Sequence, residues 1–167
     1  MKPKLLIVDD EKPIRDVMSR ILKGRYSCLT APDAEQALAL VDANPDLALL
    51  LTDYKMPGDN GIALIRKAKG KLPALAAILI TAFGEIELAV EAMKDGADDF
   101  FQKPVTDLAQ FELRVAKAIK TASLEKEVAE LKSQLNAELE NFTGKSPAME
   151  KVYRLIRKAA PANANVL

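Results

Sequence analysis

Leu49-Leu50-Leu51-Thr52-Asp53-Tyr54-Lys55-Met56-Pro57-Gly58-Asp59-Asn60-Gly61 is the stretch on which the reading of this chain turns. An apolar run stops at one carboxylate, and a turn built from Pro, Gly, Asp and Asn follows at once. A run this short and this apolar reads as a strand covered on both faces. In an α/β sheet, ligands and chemistry collect in the crevice outside the carboxyl ends of the strands. Asp53 therefore stands where a reactive group belongs.

The flanking sequence repeats the pattern. Leu5-Leu6-Ile7-Val8 is a strand closed by Asp9-Asp10-Glu11. Pro13 suits a first helical turn, and Ile14, Val17, Met18, Ile21 and Leu22 follow at helical spacing until Gly24. A second strand runs from Tyr26 to Thr30, and Asp33 caps a helix carrying Ala37, Leu38 and Val41. The third strand is Leu47 to Thr52. A helix from about Ile62 to Lys69 is expected to stop at Gly70. The fourth strand, Ala76 to Ile80, leads into Thr81-Ala82-Phe83-Gly84, and the next helix is expected to bury Ile86, Ala89, Val90 and Met93. Asp99 to Gln102 is a short fifth strand ending at Lys103-Pro104, and Leu108, Phe111, Val115, Ala118, Ile119 and Ala122 mark a long amphipathic helix.

Strands alternating with helices, and too apolar to have a wet face, predict a doubly wound parallel sheet. Right-handed crossovers leave few topologies, and the flavodoxin-like strand order 2-1-3-4-5 is the expected one. Beyond residue 122 the composition shifts. Leu124, Val128, Leu131 and Leu135 recur among Glu, Lys and Gln, which reads as a short coiled-coil seam or as a solvated helical extension. Lys145 to Leu167 suggests one more helix, through Met149, Val152, Tyr153 and Ile156, and then a strand cut short at Val166-Leu167. That ending reads as a truncated chain.

Composition removes several function classes. The 24 basic and 24 acidic residues cancel, so nothing favours non-specific binding to nucleic acid. No apolar run approaches the ~20 residues of a bilayer span. One cysteine, Cys28, excludes an internal disulfide framework and fits a reducing cytosol. There is no histidine, which removes Ser-His-Asp triads and most zinc sites. Any phosphohistidine donor must belong to a partner.

The predicted strand ends present Asp9 and Asp10, then Asp53, Thr81 and Lys103. Strands one, three, four and five are neighbours in the expected order, so these groups converge. Close carboxylates repel unless a cation or protons neutralise them, and oxygen ligands select a hard ion such as Mg²⁺. Asp53 then reads as a nucleophile that takes a phosphoryl group, with Lys103 as a point charge and the Thr81 hydroxyl as a donor to the phosphoryl oxygens. Singly, each residue has an ordinary role as a cap, turn or surface group. It is their joint placement that points to chemistry.

These residues resemble the receiver domain of two-component response regulators over about residues 3 to 122. The motifs are Ile7-Val8-Asp9-Asp10-Glu11, the stretch from Thr52 to Gly61, Thr81-Ala82-Phe83-Gly84, and Gly96-Ala97-Asp98-Asp99-Phe100-Phe101-Gln102-Lys103-Pro104. Part of the case for the strand order comes from this resemblance rather than from the pattern alone. The resemblance implies that Asp53 accepts a phosphoryl group from a histidine kinase. It implies that Asp10, Asp53 and the backbone carbonyl of Lys55 bind Mg²⁺, with Asp9 acting mainly through water. Thr81 and Lys103 would hold phosphoryl oxygens, and Phe100 matches an aromatic switch position that follows Thr81. No departure is found at the acidic, hydroxyl and basic positions.

The tail, from Phe142-Thr143-Gly144-Lys145-Ser146-Pro147 to Leu167, resembles the start of the AAA+ domain of NtrC-type transcriptional activators. The expected organisation is a receiver domain at 1–122, a helical or coiled-coil linker at 123–142 and a AAA+ fragment at 143–167. Gly144-Lys145-Ser146 lacks the leading glycine of a phosphate-binding loop, since residue 139 is Leu. The resemblance implies a regulator rather than an enzyme, dimerising through the linker helix and the surface of the fourth helix, fifth strand and fifth helix. It implies control of a AAA+ ATPase with no direct DNA contact by this chain. A haloacid-dehalogenase-like phosphatase would place its nucleophile after the first strand with a second Asp two positions on; here Asp9-Asp10 are adjacent and Glu11 follows. A flavodoxin would want a Ser/Thr/Gly-rich loop where this chain has Asp-Asp-Glu.

Overall fold

The computed structural model describes residues 2–82 and 86–142. The expected AAA+ fragment at 143–167, with its helix and final strand, lies outside these residues, as do Phe83 and Gly84. The elements in order are β1 (Lys4–Val8), α1 (Lys12–Leu22), β2 (Ser27–Ala31), α2 (Ala34–Ala43), β3 (Leu47–Asp53), α3 (Gly61–Lys71), β4 (Ala76–Thr81), α4 (Ile86–Lys94), β5 (Asp99–Gln102) and α5 (Leu108–Phe142). The five strands are parallel in the order β2-β1-β3-β4-β5, as expected.

Alternation along the strands builds two cores. Leu6, Val8, Leu50, Ala77 and Leu79 face α2, α3 and α4, where they meet Ala37, Val41, Leu64, Ile65, Leu88 and Ala92. Leu5, Ile7, Leu49, Leu51, Ile78 and Ile80 face α1 and α5, where they meet Met18, Leu22, Phe111 and Val115. The doubly covered sheet explains why β1, β3 and β4 are almost unbroken apolar runs. The expectation of no wet face fails at β2, where Ser27 and Thr30 are exposed, because β2 is an edge strand. Phe111 is fully buried and meets Phe101 edge-to-face, with ring centroids 4.9 Å apart. Truncating such a ring to Ala costs about 3–5 kcal/mol.

Three local expectations are corrected. Gly70 does not stop α3, which runs on to Lys71; Pro73 sets the end instead, because the residue before a proline avoids helical backbone. Val17 on α1 is exposed. On α4 the buried residues among those described are Leu88 and Ala92, while Val90 and Met93 are about half exposed; the expected burial of Ile86 falls on a side chain outside the described ones. The helix has two apolar stripes, and the sheet takes the one that carries the leucine.

Residues Met1–Lys126 form one compact unit, and a second begins at Glu127. On α5, Phe111, Val115, Ala118 and Ala122 are buried, whereas Leu124, Val128, Leu131 and Leu135 are each about half exposed. Asp107 opens the helix, its carboxylate accepting from the Gln110 amide at 2.9 Å. No helix among the described residues is long and apolar enough to cross a membrane.

Candidate functional site

Register alone assembles the site. Val8 lies opposite Thr52, Asp53 opposite Ile80, and Thr81 opposite Gln102. The residues that end each strand, or follow its last pair, are Asp9, Asp53, Thr81 and Lys103, and the sheet delivers all four to one edge. Backbone bonds extend the alignment past the strands: the Tyr54 amide donates to Ile80 O at 2.9 Å, and the Lys103 amide to Thr81 O at 2.7 Å. The peptide between Lys103 and Pro104 is cis.

Lys103 Nζ stands 2.7 Å from Asp9 Oδ2 and 2.9 Å from Asp53 Oδ1. Asp9, Asp53 and Thr81 are buried, and Asp10 is exposed. Asp53 also accepts from the Lys55 amide through Oδ2 at 3.2 Å. Burial pushes the Asp53 carboxyl above the usual carboxylate range, helped by the Asp9 charge, and this outweighs the opposing pull of Lys103 and of the Lys55 amide. Burial pulls the Lys103 ammonium down, but its bonds to Asp9 and Asp53 prevail and hold it above its ordinary value. The asymmetry has a simple cause. One ammonium divides itself between two carboxylates, so it gains two partners while each carboxylate gains a share of one.

A cleft of about 480 Å³ opens on this edge, lined by Asp10, Asp53, Lys55, Met56, Thr81 and Lys103 among others. Its donors suit a hard cation: Mg²⁺ takes one or two carboxylates and completes its shell with water and phosphate oxygens. Asp10 and Asp53 place carboxylates on its wall, and Lys55 lines it beside them. The arrangement is looser than the close trio of carboxylates expected from the sequence. Among the described residues no three His, Cys, Asp or Glu side chains gather tightly enough to hold a metal by themselves. Asp9 is instead paired directly with Lys103, while Asp10 sits at the solvent side.

Other residues shape the site, all but Phe100 without having been singled out. Gly61 opens α3 and donates its amide to Tyr54 O at 2.9 Å, and a Cβ there would lie 2.2 Å from the Asp53 carbonyl oxygen. Only glycine lets the helix start this close to the strand end. Asn60 caps the helix through Oδ1, which accepts from the Ala63 amide at 2.8 Å. An Asn ahead of an apolar-periodic run is a legible cap signal. Arg15, from α1, donates from Nη1 to the carbonyls of Asp9 and Asp10 at 2.6 and 3.0 Å. Phe100 is half-buried on the α2–α4 side of the sheet. Arg114 of α5 bonds the Asp99 carboxylate and Phe100 O and lies 4.0 Å from the centre of the Phe101 ring.

The sequence profile of the response regulator receiver domain matches residues 5–116. The chain belongs to the response regulator receiver family. Its likeness to NtrC-type regulators covers nearly its whole length. It is 34% identical to the DNA-binding transcriptional regulator NtrC of Escherichia coli, over 96% of this chain and 34% of that protein. It is also 34% identical to the response regulator protein PilR of Pseudomonas aeruginosa, over 99% of this chain and 35% of that protein. The chain thus spans about a third of the length of the curated relatives it matches. Among solved structures, NtrX from Brucella abortus superposes with a TM-score of 0.74 at 34% identity, covering 98% of this chain and 36% of that one. A CheY-like receiver domain from Methanospirillum hungatei gives 0.69 at 28% identity, covering 75% of this chain and 99% of that one.

Proposed function

We propose that this receiver accepts a phosphoryl group on Asp53 from the phosphohistidine of a partner kinase. The observation that carries this reading is the Asp53 carboxylate at the end of β3, within 2.9 Å of the Lys103 ammonium and on the wall of an open, oxygen-lined cleft. An Asp53 oxygen attacks phosphorus, a P–O bond forms, and the P–N bond to the donor imidazole breaks. Lys103 neutralises one phosphoryl oxygen, and the Thr81 hydroxyl donates to another. Asp10, Asp53 and the Lys55 carbonyl would hold Mg²⁺, with Asp9 acting through water; the ion, when bound, offsets the negative charge that gathers in the transfer. The chain acts on itself only, as phosphoacceptor and in losing the phosphate again, rather than as an enzyme on other substrates.

Phosphorylation then biases a two-state element in which Thr81 closes on the phosphate and Phe100 turns inward. The half-exposed Val90 and Met93 give α4 an apolar patch for a second copy. Leu124, Val128, Leu131 and Leu135 give α5 a seam of the coiled-coil kind. A homodimer through both would pass the signal to a AAA+ ATPase in a cytoplasmic regulator, with receiver 1–122, linker 123–142 and AAA+ fragment 143–167, and without DNA contact by this chain. The likeness to NtrC and NtrX supports that setting. A phosphatase of haloacid-dehalogenase type is not favoured.

Acetyl phosphate with Mg²⁺, followed by intact mass, tests the central step. The native chain gains one phosphoryl group and Asp53→Asn gains none. An unchanged native mass overturns the reading.

A further inference from the structure

The first turn of α1 breaks a local rule. Helix N-termini favour acidic side chains, because the unpaired amides and the macrodipole are positive there. This one has no acidic residue in its first turn and opens with Lys12 and, on the fourth position, Arg15. Its N-cap, Glu11, makes no side-chain capping bond. A cation kept at the wrong end of a helix is a sign that it serves something else.

Arg15 reaches back over the turn that carries the acidic pair. Nη1 has two hydrogens, and each finds a carbonyl: Asp9 O at 2.6 Å and Asp10 O at 3.0 Å. Asp9 is pinned elsewhere as well, through its amide to Ala31 O at 3.3 Å, through Oδ1 from the Glu11 amide at 2.9 Å and through Oδ2 to Lys103. Asp10 is exposed, and its carbonyl is held by Arg15. We propose that Arg15 is a positioning residue for the cation site: its guanidinium clamps the two carbonyls and so fixes the direction in which the Asp10 carboxylate enters the cleft. This rests on the Mg²⁺ reading given above.

Two effects of removing Arg15 have opposite signs, which makes the proposal decidable. As a bare charge, the guanidinium repels an incoming divalent ion, and its loss would tighten binding. As a clamp, it holds a ligand in place, and its loss weakens binding by about 10-fold, the low end for residues that orient metal ligands. The experiment is a MgCl₂ titration of the native chain, Arg15→Gln and Arg15→Lys, followed by amide NMR shifts at Asp10 and Lys55. Amide hydrogen exchange at Glu11 is measured on the same proteins without metal. The expected result is weaker Mg²⁺ binding in Arg15→Gln, partial recovery in Arg15→Lys, and faster Glu11 exchange in Arg15→Gln. Native binding with equal or tighter binding in Arg15→Gln overturns the clamp alone. A native chain that takes no Mg²⁺ overturns the site reading and the clamp together.

Discussion

Two glycines in α3 should respond to the same substitution with opposite signs. A Cβ at Gly61 would lie 2.2 Å from Asp53 O and 2.7 Å from Leu79 Cδ1, whereas a Cβ at Gly70 would meet nothing within 4 Å. An unstrained carbon–oxygen contact needs about 3.3 Å, so Gly61→Ala demands roughly 1 Å of movement. The atom in the way is backbone, and Leu79 is fully buried, so neither neighbour can rotate aside. Overpacking of this kind costs about 3 kcal/mol, the upper part of its usual range. Helix propensity returns less than about 1 kcal/mol. The net loss of about 2 kcal/mol lowers the melting midpoint by roughly 6–10 °C for a unit of this size. Gly70→Ala instead gains about 0.5 kcal/mol, because only the propensity effect remains. Urea unfolding of the whole chain, followed by circular dichroism, reads both. The displaced strand end also misplaces the Asp53 carboxylate, and labelling by acetyl phosphate should slow by about 100-fold. A Gly61→Ala chain as stable as Gly70→Ala would refute the reasoning, since the close approach would then exert no force.

Asp53→Asn should be more stable than the native chain at neutral pH without metal. Burial raises the Asp53 carboxyl in the folded state, so its contribution is fully present below the unfolded pKa and is lost as pH rises through the folded one. The gap should close toward about pH 3.5, below the unfolded carboxylate value; urea midpoints across pH check it, and a gap that widens in acid contradicts it. Lys103→Gln leaves Asp9 and Asp53 facing each other without their shared cation. The expected loss is about 2–3 kcal/mol at neutral pH, below the range for fully buried pairs because the Lys103 side chain keeps 17% of its exposure, and it shrinks in acid. Chemical denaturation at two pH values reads it, and an unchanged midpoint counts against the shared pairing. Val128→Glu with Leu131→Glu should turn a dimer into a monomer by light scattering, and a native chain that is already monomeric would defeat the seam.

Much of the site was legible because its residues end apolar runs. Asp9, Asp53, Thr81 and Lys103 each follow a strand-like stretch, and the parallel fold brings strand ends to one edge whatever the loops do. Arg114 was not legible, since nothing along the chain announces a bond from α5 back to Asp99 and Phe100. Arg15 was not legible for the same reason: its partners are carbonyls, which every residue has.

The chain's own periodicity determined that there would be five strands, which helices would cover them, and that a carboxylate at residue 53 would stand at a strand end. It did not determine which apolar stripe of α4 would be buried, because Leu88–Ala92 and Ala89–Val90–Met93 are both plausible faces until the sheet beneath supplies a shape. Nor did it reveal that Asp9 would pair directly with Lys103, or that Gly61 must lack a side chain. Periodicity is a property of neighbours along the chain and survives any rearrangement of the elements. Close approach and charge sharing depend on distances across the sheet, which exist only once β1, β3, β4 and β5 have locked into register.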